Sequence, residues 1–389
     1  MKKIMLILPT DIGTIANLTN NLYLELKKNN AIVFVVLLNH SILSNLNFDN
    51  KFTFNSKKSY GIFSVFKFIE KILFLRKIKK RIQPDITVGT MYNCSYVNVL
   101  SGGSDFKIGL FHSPYYQTRD KGFILYSLYL LSYYLIFSKL DKLYCVSEGI
   151  RNAIAIRFKN IKTPQIKTVY NLHNLHLIEE LSKESITDSE IDIFKKNIII
   201  SVGRLELNKS PERLICAYSK LDEEVKIKTN LIFIGENVND YQSQLHDLCM
   251  KLQIEDKVFF LGTVINPYKY IKRSKFLVSS SYTEGLPGVL IESLILGIPI
   301  ISTNSSFGIW EILSEEKKYN KYLDSTYITT AGIITSNISY FDKSKIDLDI
   351  FNLKESIEVM LLNYNMKVDF PFIQKIQPEF IVNQFINPN

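Results

Sequence analysis

The chain has 389 residues, enough for two domains of ordinary size rather than one. Hydrophobic residues make up 46% and charged residues 22%, which excludes a disordered or collagen-like chain. The net charge of +9 is lopsided: residues 1–180 hold 24 Lys/Arg against 11 Asp/Glu, and residues 181–389 hold 23 against 27. A basic first half points to an anionic partner, whether nucleic acid, membrane surface or acidic substrate. Four scattered cysteines, Cys94, Cys145, Cys216 and Cys249, contain no C-x-x-C, so neither a zinc knuckle nor a disulfide framework is indicated.

The start imitates a secretory leader, but its apolar run of five residues lacks a small-residue cleavage site. A buried strand over Ile4–Leu8 is the better reading, and a reducing cytoplasm is the expected setting. Asp11–Thr14 reads as a turn and Asn17–Lys28 as a helix, with Leu18, Leu22 and Leu26 on one face. Ala31–Leu38 is the next strand, a β–α–β opening that implies a parallel sheet with a right-handed crossover. Further strands are expected at 84–88, 107–111, 142–146 and 167–170. Between Ile178 and Lys196 acids cluster among Ser and Thr, which reads as a linker.

The alternation then restarts. Strands are expected at 197–202, 230–234, 258–261, 275–279 and 299–302. Helices are expected at 211–221, 241–252, 266–274 and 287–296. The expected organisation is α/β, with two Rossmann-like doubly wound domains facing across a cleft: residues 1–175, a linker over 176–196, residues 197–370, and a closing helix over 371–389. Ligands of such sheets bind beyond the carboxyl ends of the strands.

Two segments of the basic half stand apart. Residues 51–81 carry ten Lys/Arg and one acid, Glu70. Ile62, Phe63, Phe66, Ile69, Leu73 and Ile78 are expected to share one helix face, with Lys67, Lys71, Lys77 and Lys80 elsewhere. An apolar face with aromatics beside cations is the pattern of an interfacial membrane helix; a packed helix with a solvated basic side is the alternative. Gly122–Ser138 has no charge for 17 residues but is short for a spanning helix, so a buried or membrane-dipping helix is expected.

The chemistry concentrates in the second half. Ser279–Thr303 reads as strand, glycine-rich turn, helix, glycine stop and strand. Gly285, Pro287 and Gly288 let backbone approach a ligand, and the following helix offers free N–H groups at its positive end, an anion site. Glu284 precedes that helix and Glu292 lies inside it, so both carboxylates can face one site. In Ser201–Glu212, Arg204 and Lys209 follow a strand end, which suits a diphosphate clamp; a salt-bridged surface loop is the alternative. Asp347-Leu348-Asp349 has the form of a metal-binding Asp-x-Asp but reads better as a solvated turn. His173-x-x-His176 has a metal-ligand spacing without a nearby carboxylate or thiol. His112 follows an apolar strand; a structural histidine is its plainest reading.

Here the second half resembles the nucleotide-sugar-binding domain of family-4 retaining glycosyltransferases, of the bacterial surface-polysaccharide type and GT-B fold. The resemblance rests on Val202-Gly203-Arg204-Leu205 with Lys209, Phe233–Glu236, Val258–Gly262, Glu284-x7-Glu292, Gly297–Ile301 and Gly308 with Glu311-Ile312-Leu313. It spans roughly residues 197–335. The first half is looser: Pro84-Asp85, His112, Val146-Ser147-Glu148 and Val169-Tyr170-Asn171 fall where the family has such residues. Two departures are visible. The family's Gly-Gly in the first loop is reduced to Gly13, and its Lys-Gly pair is Lys209-Ser210.

The resemblance implies that Glu292 binds ribose hydroxyls and that Glu284 contacts the donor sugar near its 3-position. Arg204 and Lys209 would neutralise the leaving diphosphate, helped by backbone at Gly13, Gly285, Leu286, Gly288 and Val289. His112 would touch the donor sugar. The implied activity is a metal-independent retaining hexosyltransfer with no cofactor. A hexose or N-acetylhexosamine would move from a nucleoside diphosphate, UDP by the Phe307–Leu313 run, to a lipid-linked or growing glycan of capsule, O-antigen or lipopolysaccharide. The setting would be the cytoplasm, at the anionic inner face of the plasma membrane, without nucleic acid. The alternatives are a non-catalytic partner on the same fold and a nucleotide-sugar epimerase. The acceptor, linkage and oligomeric state are not specified by these residues.

Overall fold

A computed structural model describes residues 1–11, 13–39, 46–55, 62–112, 123–159, 165–314, 323, 325–337, 346–362 and 368–388. The chain divides into two compact units. One comprises Met1–His173 with Lys375–Asn389, the other Asn174–Gln374.

The first unit runs β1 (Lys3–Leu8), α1 (Thr14–Lys28), β2 (Ile32–Leu37), β3 (Lys51–Thr53), α2 (Ile62–Ile82), β4 (Ile86–Gly89), α3 (Tyr92–Leu100), β5 (Phe106–Phe111), α4 (Phe123–Phe137), β6 (Lys142–Cys145), α5 (Glu148–Arg157) and β7 (Gln165–Thr168). Its seven strands lie in the order β3-β2-β1-β4-β5-β6-β7, every pair parallel. Ile4–Leu8 are wholly buried, which explains the unbroken apolar run: a parallel strand covered on both faces has no solvent side to alternate towards.

The second unit opens with α6 (Leu175–Ser182) and α7 (Ile191–Phe194). It continues β8 (Asn197–Val202), α8 (Pro211–Ser219), α9 (Glu223–Lys228), β9 (Thr229–Ile234), α10 (Tyr241–Lys251) and β10 (Val258–Phe260). Then come α11 (Tyr268–Ile271), β11 (Phe276–Ser279), α12 (Gly288–Ile295), β12 (Ile300–Thr303), α13 (Phe307–Leu313), β13 (Tyr327–Ile328), β14 (Gly332–Thr335) and α14 (Ile346–Leu362). The strand order is β10-β9-β8-β11-β12-β14-β13, parallel except for the final hairpin, in which Tyr327 faces Ile334. A core of Ile199, Leu214, Tyr218, Leu231, Phe276 and Ile357 lies between this sheet and α8, α10 and α14.

Three expectations change. The stretch 176–196 is not a loose linker. Its acids cap and pair: Thr187 and Glu190 form a capping box, and Tyr270 Oη donates to Glu190 Oε1 at 2.8 Å. Asn230 and Asn266 donate to the Ile193 and Leu181 carbonyls, so the stretch is built into the second unit. The tail is a 3₁₀ turn (Pro371–Ile376) followed by α15 (Pro378–Ile386), and α15 belongs to the first unit. There Tyr144 Oη donates to Gln384 O at 2.8 Å, and the Tyr144 and Phe385 rings meet edge to face. The break between turn and helix falls at Gln377, since Pro378 fixes the start of α15.

The third change is in α2. Its buried face is Phe68, Ile72, Leu75, Ile78 and Ile82 against Met5, Ile7, Val36 and Val97. Phe66, Ile69 and Leu73, expected on the same face as Ile78, instead point outward with Val65, each about half exposed. Two apolar stripes share this helix, and the sheet covers the one whose i, i+4, i+7 steps continue to Ile82. The side chains of Ile62 and Phe63 lie outside the described residues. In α4, Tyr133, Ile136 and Phe137 are buried while Leu131, Tyr134 and Leu135 are exposed. No helix among the described residues is long and apolar enough to cross a membrane.

Candidate functional site

In the second unit, β8 and β11 are adjacent parallel strands, so the loops that leave their carboxyl ends lie side by side. The β8 loop carries Gly203, Arg204 and Lys209; the β11 loop carries Ser280, Ser281 and Glu284. Gly203, Arg204, Lys209, Ser281, Glu284 and Val289 line one pocket there. At its centre Lys209 Nζ lies 2.5 Å from Glu284 Oε1, and Ser281 Oγ donates to the same oxygen at 2.7 Å. Both side chains keep some access to solvent, 29% for Lys209 and 12% for Glu284. An entering anion therefore meets a cation that a carboxylate already orients. Arg204 is more open. Its guanidinium pairs with Glu206 Oε1 at 2.8 Å, beside the pocket rather than on Glu284.

The two loops are braced from behind by Arg213 in the first turn of α8, which is 2% exposed. Arg213 Nη1 meets Asp349 Oδ2 at 2.8 Å, Nε donates to Ser210 Oγ at 2.9 Å, and Nη2 donates to the Ser280 carbonyl. Its guanidinium also sits 4.1 Å from the Tyr282 ring centre. Ser280 Oγ closes the brace by donating to the Lys209 and Ser210 carbonyls. Ser210, the residue in place of a glycine, takes the left-handed conformation a glycine would adopt freely (φ 49°).

This brace corrects the reading of 347–349 as a solvated turn. The segment is the first turn of α14, and Asp349 is buried, paired with Arg213 and accepting from Ser336 Oγ, to which Asn352 Nδ2 donates in turn. A carboxylate committed to a guanidinium and a hydroxyl is not free to hold a metal. Among the described residues no three of His, Cys, Asp and Glu come together as a metal-holding group. Of His173 and His176, the first is buried and the second exposed.

The turn after Glu284 leads into α12, whose N-terminal residue is Gly288. Leu286 is buried, and Gly285 offers its carbonyl to Ser306 Oγ at 3.0 Å. Gly308, in α13, presses on this turn: a Cβ there would stand 2.2 Å from the Gly285 oxygen, so only glycine permits the approach. Glu292, in the second turn of α12, is not among the residues lining the pocket. Burial pushes its carboxyl up to about 7, opposed in part by the Tyr268 hydroxyl. Burial beside that carboxylate in turn holds the Tyr268 hydroxyl above the usual phenol range.

Gly13 and His112 belong to the first unit. Gly13 precedes α1 with φ 89°, and nothing lies within 4 Å of where its Cβ would be. His112 follows β5, and its Nε2 is buried without a hydrogen-bond partner beside Leu18, Leu22, Leu110 and Phe385. Burial pulls its pKa down to about 4, so the ring is neutral. The residues that sequence reasoning missed are Arg213, Tyr268 and the serines Ser280 and Ser281. The Ser279–Ser281 run at a strand end was the available signal for the last two; the others are defined by contacts 136 and 24 positions away.

Comparison with known proteins places residues 183–327 in a match to the family Glycosyl transferases group 1. An uncharacterised glycosyltransferase of Methanocaldococcus jannaschii is 27% identical over 299 residues, 74% of this chain and 72% of that protein. The N-acetylgalactosamine-N,N'-diacetylbacillosaminyl-diphospho-undecaprenol 4-alpha-N-acetylgalactosaminyltransferase of Campylobacter jejuni is 31% identical over 183 residues; the match spans about half of each protein, 47%. Among solved structures, Anabaena Alr3699/HepE in complex with UDP aligns over 99% of this chain and 95% of that one, with a TM-score of 0.69 and 13% identity. The likeness shows the fold, GT-B, with two Rossmann-like units, and the family match lies in the second of them.

Proposed function

We propose that the protein is a retaining glycosyltransferase that moves a hexose or N-acetylhexosamine from a UDP-linked donor to a lipid-linked glycan acceptor, in the assembly of a bacterial surface polysaccharide. The observation that carries the reading is the Lys209–Glu284 pair, held by Ser281 where the β8 and β11 loops meet inside the family-matched segment. Cleavage of a sugar–diphosphate bond develops negative charge on the departing diphosphate. Fixed cations and N–H dipoles that await that charge lower the barrier without reorganising during the step. Lys209 supplies such a cation, with Arg204 at the rim and the backbone of Gly285, Leu286, Gly288 and Val289 at the start of α12. Glu284 meets the donor sugar near its 3-position, and Glu292 takes the ribose hydroxyls. His112, neutral at physiological pH, meets the donor sugar, and Gly13 gives it side-chain-free backbone.

In this reading the departing diphosphate is met by protein groups, and turnover survives EDTA. UDP as the nucleotide draws support from the UDP complex of the Anabaena structure, and a polyprenyl-diphosphate acceptor from the name of the Campylobacter relative. A lipid-linked acceptor requires approach to a membrane. The outward face of α2 suits that: Val65, Phe66, Ile69 and Leu73 are exposed over its first half, and Arg76, Lys77, Lys80 and Arg81 over its second. We place the protein at the inner face of the plasma membrane on that ground.

The test is a screen of UDP-, GDP- and ADP-sugars with lipid-linked acceptors, reading nucleotide release and the anomeric configuration of the product. Release from UDP-sugars with net retention is expected. Inversion, or no release from any donor, overturns the reading.

A further inference from the structure

The amino edge of the first sheet holds a cavity of about 920 Å³ that no part of the proposed reaction uses. The loops that enter β4 and β5 form it, because those strands are parallel neighbours and their incoming loops lie side by side. Its lining includes Arg76 and Lys80 from the last turns of α2, and Gln83, Asp85, Gly103 and Ser104 from the two loops.

The chemistry of that lining suits an anion. Arg76 is pinned by carbonyls rather than by a carboxylate: its Nε donates to Ser101 O at 3.0 Å and its Nη2 to Leu100 O at 3.4 Å. The guanidinium is thereby oriented while its charge stays uncompensated and its Nη1 donors stay open. Lys80 is exposed and makes no ion pair among the described residues. The two carboxylates of the lining are already engaged. Asp105 Oδ2 accepts from Lys79 at 3.0 Å and from Thr87 at 2.6 Å, and Asp105 Oδ1 lies 3.5 Å from Lys107. Asp85 Oδ2 accepts the Lys3 N–H at 2.7 Å. The N–H groups of Gly103 and Ser104 and the Ser104 hydroxyl have no acceptor among the described residues, so they can meet a ligand oxygen.

The helix that supplies both cations narrows the kind of anion. Phe66, Ile69, Leu73, Arg76 and Lys80 recur at i, i+3, i+7, i+10 and i+14, so they share one stripe of α2, and all five are exposed. At 1.5 Å per residue the stripe runs about 21 Å. Its apolar first half leads along one outward line to the two cations of the cavity. A soluble anion has no use for the apolar half; a molecule with both acyl chains and a phosphate uses the whole stripe. We propose that the cavity is a lipid headgroup site: the phosphate of an anionic phospholipid enters between Arg76, Lys80 and Ser104, while Phe66, Ile69 and Leu73 enter the acyl boundary. A guanidinium held in advance can meet two phosphate oxygens at once, which an unconstrained surface cation does not do. The inference rests on the placement of this face at a membrane and adds one discrete site to it.

The experiment is sedimentation of the full chain with vesicles of phosphatidylcholine containing phosphatidylglycerol. Arg81 is an exposed arginine of the same helix outside the cavity lining, so it serves as a charge-matched control. Arg81→Gln should lose only the diffuse attraction, about fivefold in affinity. Arg76→Gln should lose about tenfold beyond that, the scale of hydrogen bonds to a charged group. Ser104→Asp puts a negative charge into the cavity from an exposed loop and should also weaken binding beyond the Arg81→Gln level; it decides the matter if Arg76→Gln folds poorly. Equal losses in Arg76→Gln and Arg81→Gln, or wild-type binding by Ser104→Asp, overturn the headgroup site and leave the membrane placement standing. Joint replacement Phe66→Ser with Leu73→Ser should release the protein from the vesicles. If it sediments as wild type, the placement of this face at a membrane fails and takes the inference with it. Calorimetric titration of glycerol 3-phosphate without vesicles separates the two sources of phosphate. Tight binding that Arg76→Gln abolishes, with vesicle binding indifferent to Arg76, would assign the cavity to a soluble anion and overturn the lipid.

Discussion

Each unit buries an ion pair against its sheet, and the two pairs sit at opposite strand edges. In the first unit Lys79, near the end of α2, meets Asp105 at 3.0 Å just before β5, with Thr87 Oγ1 on the same carboxylate. Its ammonium also donates to the Asn98 and Gly102 carbonyls, and burial pulls its pKa down to about 8. In the second unit Arg213 meets Asp349 where α8 and α14 begin, directly after β8 and beyond β14. Both pairs are fully satisfied, so both should cost a great deal to break from one side. They differ in what else they hold. Lys79 reaches only carbonyls at the amino edge, whereas Arg213 holds Ser210 and Ser280, the flanks of Lys209 and Glu284. The buried charge at the carboxyl edge fixes the two loops of the proposed site, and the one at the amino edge fixes carbonyls of the core.

That contrast can be broken most directly by removing each cation. Arg213→Met leaves the buried Asp349 carboxylate without a cation and should cost about 3–5 kcal/mol in urea unfolding, whereas Lys79→Met leaves Asp105 with Lys107 at 3.5 Å and should cost less. Turnover per folded molecule should persist in Lys79→Met and fall in Arg213→Met. Equal turnover in the two variants would remove the distinction between the edges. The next effect is at the site the brace supports: Lys209→Ala should lower turnover about 10²-fold, the scale of losing one preorganised donor. Nucleotide release at wild-type rate would show that Lys209 is an ordinary surface cation.

Titration gives a smaller contrast. Burial pulls His112 and His173 in the first unit down to about 4, below the ordinary histidine value. The unfolded chain therefore takes up protons that the folded chain refuses, and stability present above about pH 6.5 is lost as pH falls towards 4. Between pH 7.5 and 5 each histidine should account for roughly 2 kcal/mol. His112→Asn should flatten the pH dependence of the urea midpoint; an unchanged slope would mean His112 is already solvated. The smallest effects belong to the exposed cations of α2. Replacing Lys77, Lys80 and Arg81 with Gln should weaken sedimentation with phosphatidylglycerol vesicles by about 1 kcal/mol per charge. Sedimentation equal to wild type would leave that face a merely solvated one.

How far the sequence could be read depended on the range of the interaction. The strands β1, β8, β9 and β11 were legible because a doubly covered parallel strand writes its burial into consecutive residues. The loop after β11 was legible because glycine, proline and carboxylate fall within five positions. The second apolar stripe of α2 was visible as residues, but which stripe the sheet would cover was not. The linker reading of 176–196 failed for a related reason. Acids and hydroxyls in a row look the same whether they face water or cap a helix, and here Asn230, Asn266 and Tyr270 from distant positions satisfy them.

The amino-acid order by itself determined the two-sheet α/β plan and the identity of Arg204, Lys209, Glu284 and Glu292 as the groups to watch, because propensity, periodicity and short motifs are local. The tertiary structure decided which of these residues meet. It put Lys209 on Glu284, turned Arg204 to Glu206, set Arg213 behind both loops and brought the Tyr268 hydroxyl to Glu292. Ion pairs and buried hydrogen bonds act over a few ångströms of space, whatever the distance along the chain, and only the packed fold brings such groups within that range.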